Sequence, residues 1–280
     1  MVLSKSNAVF IDNMSIYTFE MHSALEQFNE HRSSLKMSTG SADLDSLIDS
    51  IQEGIFYLFY GNNRVVLDAM IYRFLVNCVL PMKQEHGFES MGICFNNVDY
   101  YDAMKKSSLS PEKIGVAAKC GGIDPKVVFK NLYTHTAYNE HRQLLVAEQV
   151  TKLVESNRDI KLVVVNNLTK FFKASKRKME SANLLKQVVG MICKVCVKNK
   201  VALVCTADTI LTSKGIIPKP IGGLYLKHAA NVIVHIKEFS NNTAAAIPSF
   251  KATLVKHQYV KTPKSTTLYF KKTGGMVLLD

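Results

Sequence analysis

Acidic residues are the scarce class in this chain. Against 35 Lys and Arg stand only 23 Asp and Glu, a formal net charge of +12 over 280 residues. An excess of that size points to a polyanionic or acidic partner. Long apolar runs are missing as well: none reaches the roughly 18–20 residues that a membrane helix needs, so no membrane role is expected. The opening MVLSKSNAVFIDNMS lacks the apolar core of a secretory leader and is broken by Asp12 and Asn13. An intracellular location is therefore expected. Cysteine offers little chemistry. Of six, only Cys193 and Cys196 form a C-x-x-C, and no second ligand pair completes a metal site. Thiols packed in a reducing compartment are the expectation, with no metal and no cofactor. Internal repeats and low-complexity tracts do not stand out.

What is present is the material of a folded α/β protein. The apolar fraction of 47% is that of a packed globular chain, and the length suits one large domain with a small appendage. Four continuous apolar runs, IFYLFYG (55–61), MGICFN (91–96), KLVVVNN (161–167) and VALVCTAD (201–208), read as parallel strands covered on both faces. Helical patterns lie between them at 65–80, 140–156 and 181–199. In the last, Leu185, Val188, Val189, Ile192 and Cys196 share one face. This alternation predicts a mostly parallel central sheet flanked by helices. The later runs NVIVHIKEF, FKATLVKH, STTLYFKK and GMVLLD, split by Asn, Pro and Gly, predict an antiparallel extension. Residues 1–36 are polar, with one helical pattern, and read as an arm ahead of a core at 37–280.

The cations are clustered. KFFKASKRK (170–178) holds five cationic residues and no acid, and Phe239 to Leu279 holds six lysines and no acid. Either these are solvated basic faces or they track a phosphate backbone, and the second reading is favoured. FYGNNRVVLDAM (59–70) poses a different question. A strand that ends in glycine and feeds a helix is where a phosphate-binding loop belongs. Such a loop works because its glycines let backbone amides close on phosphate, its lysine neutralises charge and its hydroxyl binds Mg²⁺. Gly61 is in place, but the second glycine, the lysine and the Ser/Thr of G-x-x-x-x-G-K-[ST] are not.

At KMSTGSADLDSLIDSIQEGIFYLFYG (36–61) the chain resembles the opening of the core domain of the RadA/RecA-type recombinase family. Further blocks follow in the family's order: SPEKI…GGIDPKVVFKNLY (110–133), TAYNEHRQLLVAEQ (136–149), KLVVVNNLTKFF (161–172) and KPIGGLYLKHAANVIVHIKE (219–238). The resemblance implies a RecA-like core. It also places the family's inner glycines on Arg64 and Val66, its lysine on Leu67 and its threonine on Asp68. The Walker B aspartate falls on Asn166. The catalytic glutamate falls on Val98, with Asp99 the neighbouring alternative, and the γ-phosphate sensor falls on Asp208. An ATPase-degenerate paralogue without hydrolysis is the expectation.

The family's two DNA-binding loops fall on 173–181, with Lys173, Lys176, Arg177 and Lys178, and on 209–219, with Lys214 and Lys219 ahead of Gly222 and Gly223. The segment that caps a neighbour's ATP falls on VKHQYVKTPK (255–264). Lys256 and His257 are therefore candidates to reach a nucleotide held by an adjacent active subunit. In the arm, the family's protomer-docking tetrapeptide falls on 21–24, which makes Met21 and Ala24 docking candidates. The family's N-terminal helix–hairpin–helix domain has no visible counterpart. The expected function is ATP-independent DNA binding, with single strands preferred, in support of an active RadA-type recombinase or beside another paralogue, with self-association left open. The alternatives are a protein-only scaffold that caps recombinase filaments and an active ATP-dependent strand-exchange enzyme.

Overall fold

The computed structural model describes residues 23, 34–81, 87–98, 110–172, 178–210, 217–239, 249–273 and 276–279. Contacts divide the chain into Met1–Ser34 and Leu35–Asp280, and every element below belongs to the second unit. Met21, Ala24, Asp99, Lys173, Lys176, Arg177 and Lys214 lie outside the described residues.

In chain order, β1 (Lys36–Met37) leads into α1 (Ala42–Ile48) and pairs with β2 (Ile51–Gln52). β3 (Phe56–Gly61) feeds α2 (Arg64–Val79), followed by β4 (Met91–Asn97), α3 (Pro111–Cys120), α4 (Pro125–Lys130), β5 (Leu132–Ala137), α5 (Glu140–Ser156) and β6 (Ile160–Asn166). A 3-10 turn at Lys170–Phe172 precedes α6 (Lys178–Lys198), β7 (Ala202–Ala207), β8 (Thr209–Ile210), β9 (Lys219–Pro220) and α7 (Gly223–Ala229). The chain then runs through β10 (Val232–Phe239), β11 (Ser249–Lys256), β12 (Lys264–Thr273) and β13 (Met276–Leu279).

Among the described residues, nine strands form one sheet in the order β13-β12-β11-β10-β3-β7-β6-β4-β5. From β10 to β5 all neighbours are parallel; from β10 outward to β13 they are antiparallel. The C-terminal strands therefore extend the sheet as expected, but β10 itself belongs to both halves. The expected continuous burial has a direct cause. One sheet face packs on α1, α2, α3 and α4 through residues such as Leu44, Leu67, Met70, Phe74, Ile114 and Val128. The other packs on α5, α6 and α7 through Val146, Val150, Val188, Ile192 and Leu226. Strands between two helical layers have no wet side. The five α6 positions read as one face are all buried.

α2 is held at its start by Asn63, whose side chain accepts from the Val66 amide. It stops at Leu80, directly before Pro81, which cannot continue a helix. Because β3, β4, β6 and β7 are parallel, their C-terminal ends lie along one edge of the sheet. Open α/β sheets place their ligand sites at that edge.

Candidate functional site

Four consecutive strand ends meet in a polar cavity of about 250 Å³, lined by Arg64, Asp68, Asn96, Asn97, Val98, Asn166, Asn167, Lys170 and Asp208. Arg64 stands at the first helical position of α2 and turns its guanidinium inward. Its Nη2 donates to Asn166 Oδ1 at 2.9 Å. Its Nε lies 3.7 Å from Asp68 Oδ1, one helical turn on. Nη1 stands 3.9 Å from Asp208 Oδ1 and, although buried, makes no hydrogen bond.

Asn166 is the hub. Its Nδ2 donates to Asp68 Oδ1 at 3.0 Å and to Asn96 Oδ1 at 3.1 Å, while its Oδ1 also accepts from Thr206 Oγ1 at 2.6 Å. Asn97 Nδ2 donates to the Asn166 carbonyl at 2.9 Å. Burial pushes the Asp68 carboxyl up and the Arg64 guanidinium down, and in each case the opposite charge beside it works against the shift. An arginine stays cationic through any such shift, so a fixed cation occupies the turn between β3 and α2.

Several aligned positions have packing roles of their own. Val66 and Leu67 are buried in the core beneath α2; the turn is closed by Asn63 and Arg64 instead. Gly61 is required by packing: a Cβ there would lie 2.5 Å from the Ile236 carbonyl oxygen of β10. Val98 places a buried apolar side chain in the cavity wall. Cys193 and Cys196 are free thiols on α6; burial pushes the Cys193 thiol up to about 12 and raises that of Cys196 as well. Neither is a ready nucleophile or ligand.

Asn96, Asn97 and Asn167 also line the cavity, though the motif frame did not single them out. Asn62–Asn63, Asn96–Asn97 and Asn166–Asn167 are three Asn-Asn pairs, each at the C-terminal end of a parallel strand. Asn97 Oδ1 and Asn167 Oδ1 are buried without hydrogen-bond partners. The recurrence of the pair after three predicted strands was the available signal.

The second basic loop is anchored to this site. β8 and β9 form its stem, pairing Thr209 with Pro220 and Ile210 with Lys219. Tyr60 Oη donates to the Pro218 carbonyl at 2.8 Å, and the Ile221 amide donates to Asp208 O at 2.9 Å. Thr209 Oγ1 donates to Asn62 Oδ1. Lys219 is exposed, as are Ile210, Ile217 and Leu224. Gly222 has φ +101°, and Gly223 has φ +63°. Of the first loop's four cations only Lys178 is described, as the first residue of α6. Lys256 Nζ is engaged by carbonyls of its own chain. His257 is engaged likewise: its Nδ1 accepts from the amides of Tyr259 and Val260 at 3.0 and 3.1 Å, which leaves Nε2 to donate to Ile48 O at 3.3 Å.

A further basic surface lies on the antiparallel strands. Lys237 pairs with Lys251 across β10 and β11, and Lys251 with Thr267 across β11 and β12. Both lysines are exposed, as is Tyr269 in the adjacent row. Like charges directly opposite on one sheet face oppose folding, unless an anion lies over them.

A model of the Rad51 family matches residues 30–246. Curated proteins named "DNA repair and recombination protein RadA" are similar along most of the chain. The one from Ignicoccus hospitalis is 28% identical over 222 residues, 75% of this chain and 65% of that protein. The one from Aeropyrum pernix is 27% identical over 219 residues, 75% and 66%. A Methanococcus maripaludis protein is 26% identical over 231 residues, 74% and 67%. The chain thus spans about two thirds of the length of the relatives it matches, just under that share for the first two.

Proposed function

The chain belongs to the Rad51 family of RadA/RecA-type recombinases, and from that premise we propose that it is a non-catalytic paralogue. It binds nucleic acid without ATP and supports an active RadA-type recombinase in recombination and DNA repair. One observation carries this reading: the Arg64 guanidinium, bonded to Asn166 and flanked by Asp68 and Asp208, occupies the turn where a phosphate loop holds its anion. The amides at the start of α2 are turned to local partners, with Asn63 serving both Val66 and Leu67. Asp68 and Asp208 add negative charge where a triphosphate would need the opposite. Binding of nucleic acid is supported by Lys219 on the second loop, by the Lys237–Lys251 row, and by Tyr269 as a stacking surface. The family match and the relatives' printed name, DNA repair and recombination protein RadA, support DNA and a recombinase subunit of the same family as the partner class.

The test is thermal unfolding and phosphate release with Mg-ATP. Millimolar nucleotide leaves the melting temperature unchanged and no phosphate appears. A clear upward shift, or turnover abolished by Asn166→Ala, returns the protein to the ATP-dependent enzymes.

A second reading, a scaffold that meets recombinases through protein contacts alone, is favoured by one feature. Among the described residues β5 is a sheet edge, and Val127, Phe129, Tyr133, Tyr138 and Leu145 are exposed on it and on its neighbouring elements. Such an edge is a template for a strand from another subunit. Oligonucleotide affinity unchanged by combined Lys219→Gln, Lys237→Gln and Lys251→Gln substitutions would favour that scaffold.

A further inference from the structure

Three carbonyls at the end of one short helix converge on a single ammonium. The last carbonyls of α7 have no intrahelical partners. Lys256 Nζ, reaching over from β11, donates to Lys227 O at 2.9 Å, His228 O at 3.2 Å and Ala230 O at 2.6 Å. An ammonium has three donors, and all three are used. The negative end of the helix favours a cation there, which offsets the repulsion from Lys227 nearby. β11 is paired with β12 up to Leu254 and with β10 up to Lys256 itself, so the capping side chain hangs from a fixed support.

The helix it grips begins at Gly223, directly behind the second basic loop. The two ends of that loop are also tied to each other and to β3, through the β8–β9 pair, the Tyr60–Pro218 hydrogen bond and the Ile221–Asp208 hydrogen bond. The described residues on both sides of the loop are therefore held by groups of this chain, and its C-terminal side runs directly into the capped helix. Gly222, at φ +101° with Leu226 Cδ1 2.4 Å from where a Cβ would stand, admits only this tight entry into α7.

We propose that Lys256 is a positioning residue: an intramolecular cap that holds α7, and with it the β8–β9 stem at Lys219–Pro220 that leads into the helix, in place. The proposal deepens the nucleic-acid reading above and rests on it. It assigns Lys256 no contact with phosphate, since its donors are already committed.

The test uses the full chain with Lys256→Met, which keeps the unbranched stem and removes the donors. Amide hydrogen exchange is read across residues 221–232, and binding of a labelled oligothymidylate is read over a salt series. Exchange in 221–232 should quicken about tenfold while β3 and β6 stay protected. Affinity should fall about tenfold with the dependence of log K on log salt unchanged. Unchanged exchange would overturn the proposal. So would a salt slope reduced by about 0.7, the signature of one lost phosphate contact on a single strand. If the unaltered protein binds no oligonucleotide, the function reading fails, and the exchange measurement still decides whether Lys256 holds α7.

Discussion

Asparagine at position 166 does what aspartate could not. It donates to Asp68 while accepting from Arg64 and Thr206. An aspartate has no donor for Asp68, and two carboxylates at that separation would share a proton. Asp68 and Asn166 are therefore matched to each other. Asn166→Asp should lower stability at pH 7.5 by about 2 kcal/mol, and the loss should shrink towards pH 5 as one carboxylate takes a proton; denaturant midpoints at the two pH values check both parts. Arg64→Met removes the cation between Asp68 and Asp208, whose side chains are 15% and 24% exposed. With that partial exposure the expected cost is about 2 kcal/mol, below the range for a fully buried pair. His235 supplies a pH signature of its own. It stacks on Tyr60 at a centroid distance of 4.9 Å, and burial, with Lys237 adding to it, lowers its pKa to about 4. The unfolded chain takes up the extra proton at the ordinary value near 6.5. Stability from this group is thus complete above pH 6.5 and is lost as pH falls towards 4; His235→Gln should flatten that part of the urea-midpoint profile. At this scale the sequence frame already placed Arg64, Asp68, Asn166 and Asp208 together. It could not show why Gly61 persists, because the Ile236 carbonyl that demands it comes from a strand 175 residues later.

Elements were legible where burial is continuous and obscure where it is not. β3, β4, β6 and β7 announce themselves as apolar runs. β5, Leu132–Ala137, carries the pattern LYTHTA with a mostly exposed face, so nothing apolar marked it, and its place at the edge explains why. The parallel pairing of β10 with β3 was equally hidden, since the local pattern of a strand does not state its neighbour. The two glycines that open α7 make opposing predictions. At Gly222 an added Cβ meets Leu226 at a positive φ, whereas Gly223 has open space around it and only the backbone penalty. Gly222→Ala should therefore cost well over about 1 kcal/mol and loosen the second loop, and Gly223→Ala only about 1 kcal/mol, with urea unfolding separating them. On the antiparallel strands, Lys237→Gln with Lys251→Gln should reduce the salt slope of single-strand binding by about 1.4, two contacts at roughly 0.7 each, with little loss of stability because the pair is mutually repulsive.

For the molecule as a whole, the charge excess and the strand-end cavity give one account. A chain with +12 net charge carries exposed lysines on a loop and on an open sheet face, and Arg64 fills the turn between β3 and α2. Composition raised the expectation of a polyanionic partner. The blocks from 36 to 238 announced the family, and the match over residues 30–246 bears that out. What composition could not announce is the wiring between the two sites, because the Tyr60–Pro218 and Lys256–α7 contacts join residues far apart in sequence. The central claim is that nucleic-acid binding here has been released from nucleotide. The most direct measurement is the affinity for a labelled single-stranded oligonucleotide, titrated from 50 to 200 mM salt (on the order of the range over which phosphate contacts are lost), with and without Mg-ATP, on one preparation. The account predicts binding that weakens steeply with salt and is the same within about twofold with or without nucleotide. A tightening of about tenfold on adding Mg-ATP, worth about 1.4 kcal/mol of coupling, or no binding at the lowest salt, would contradict it.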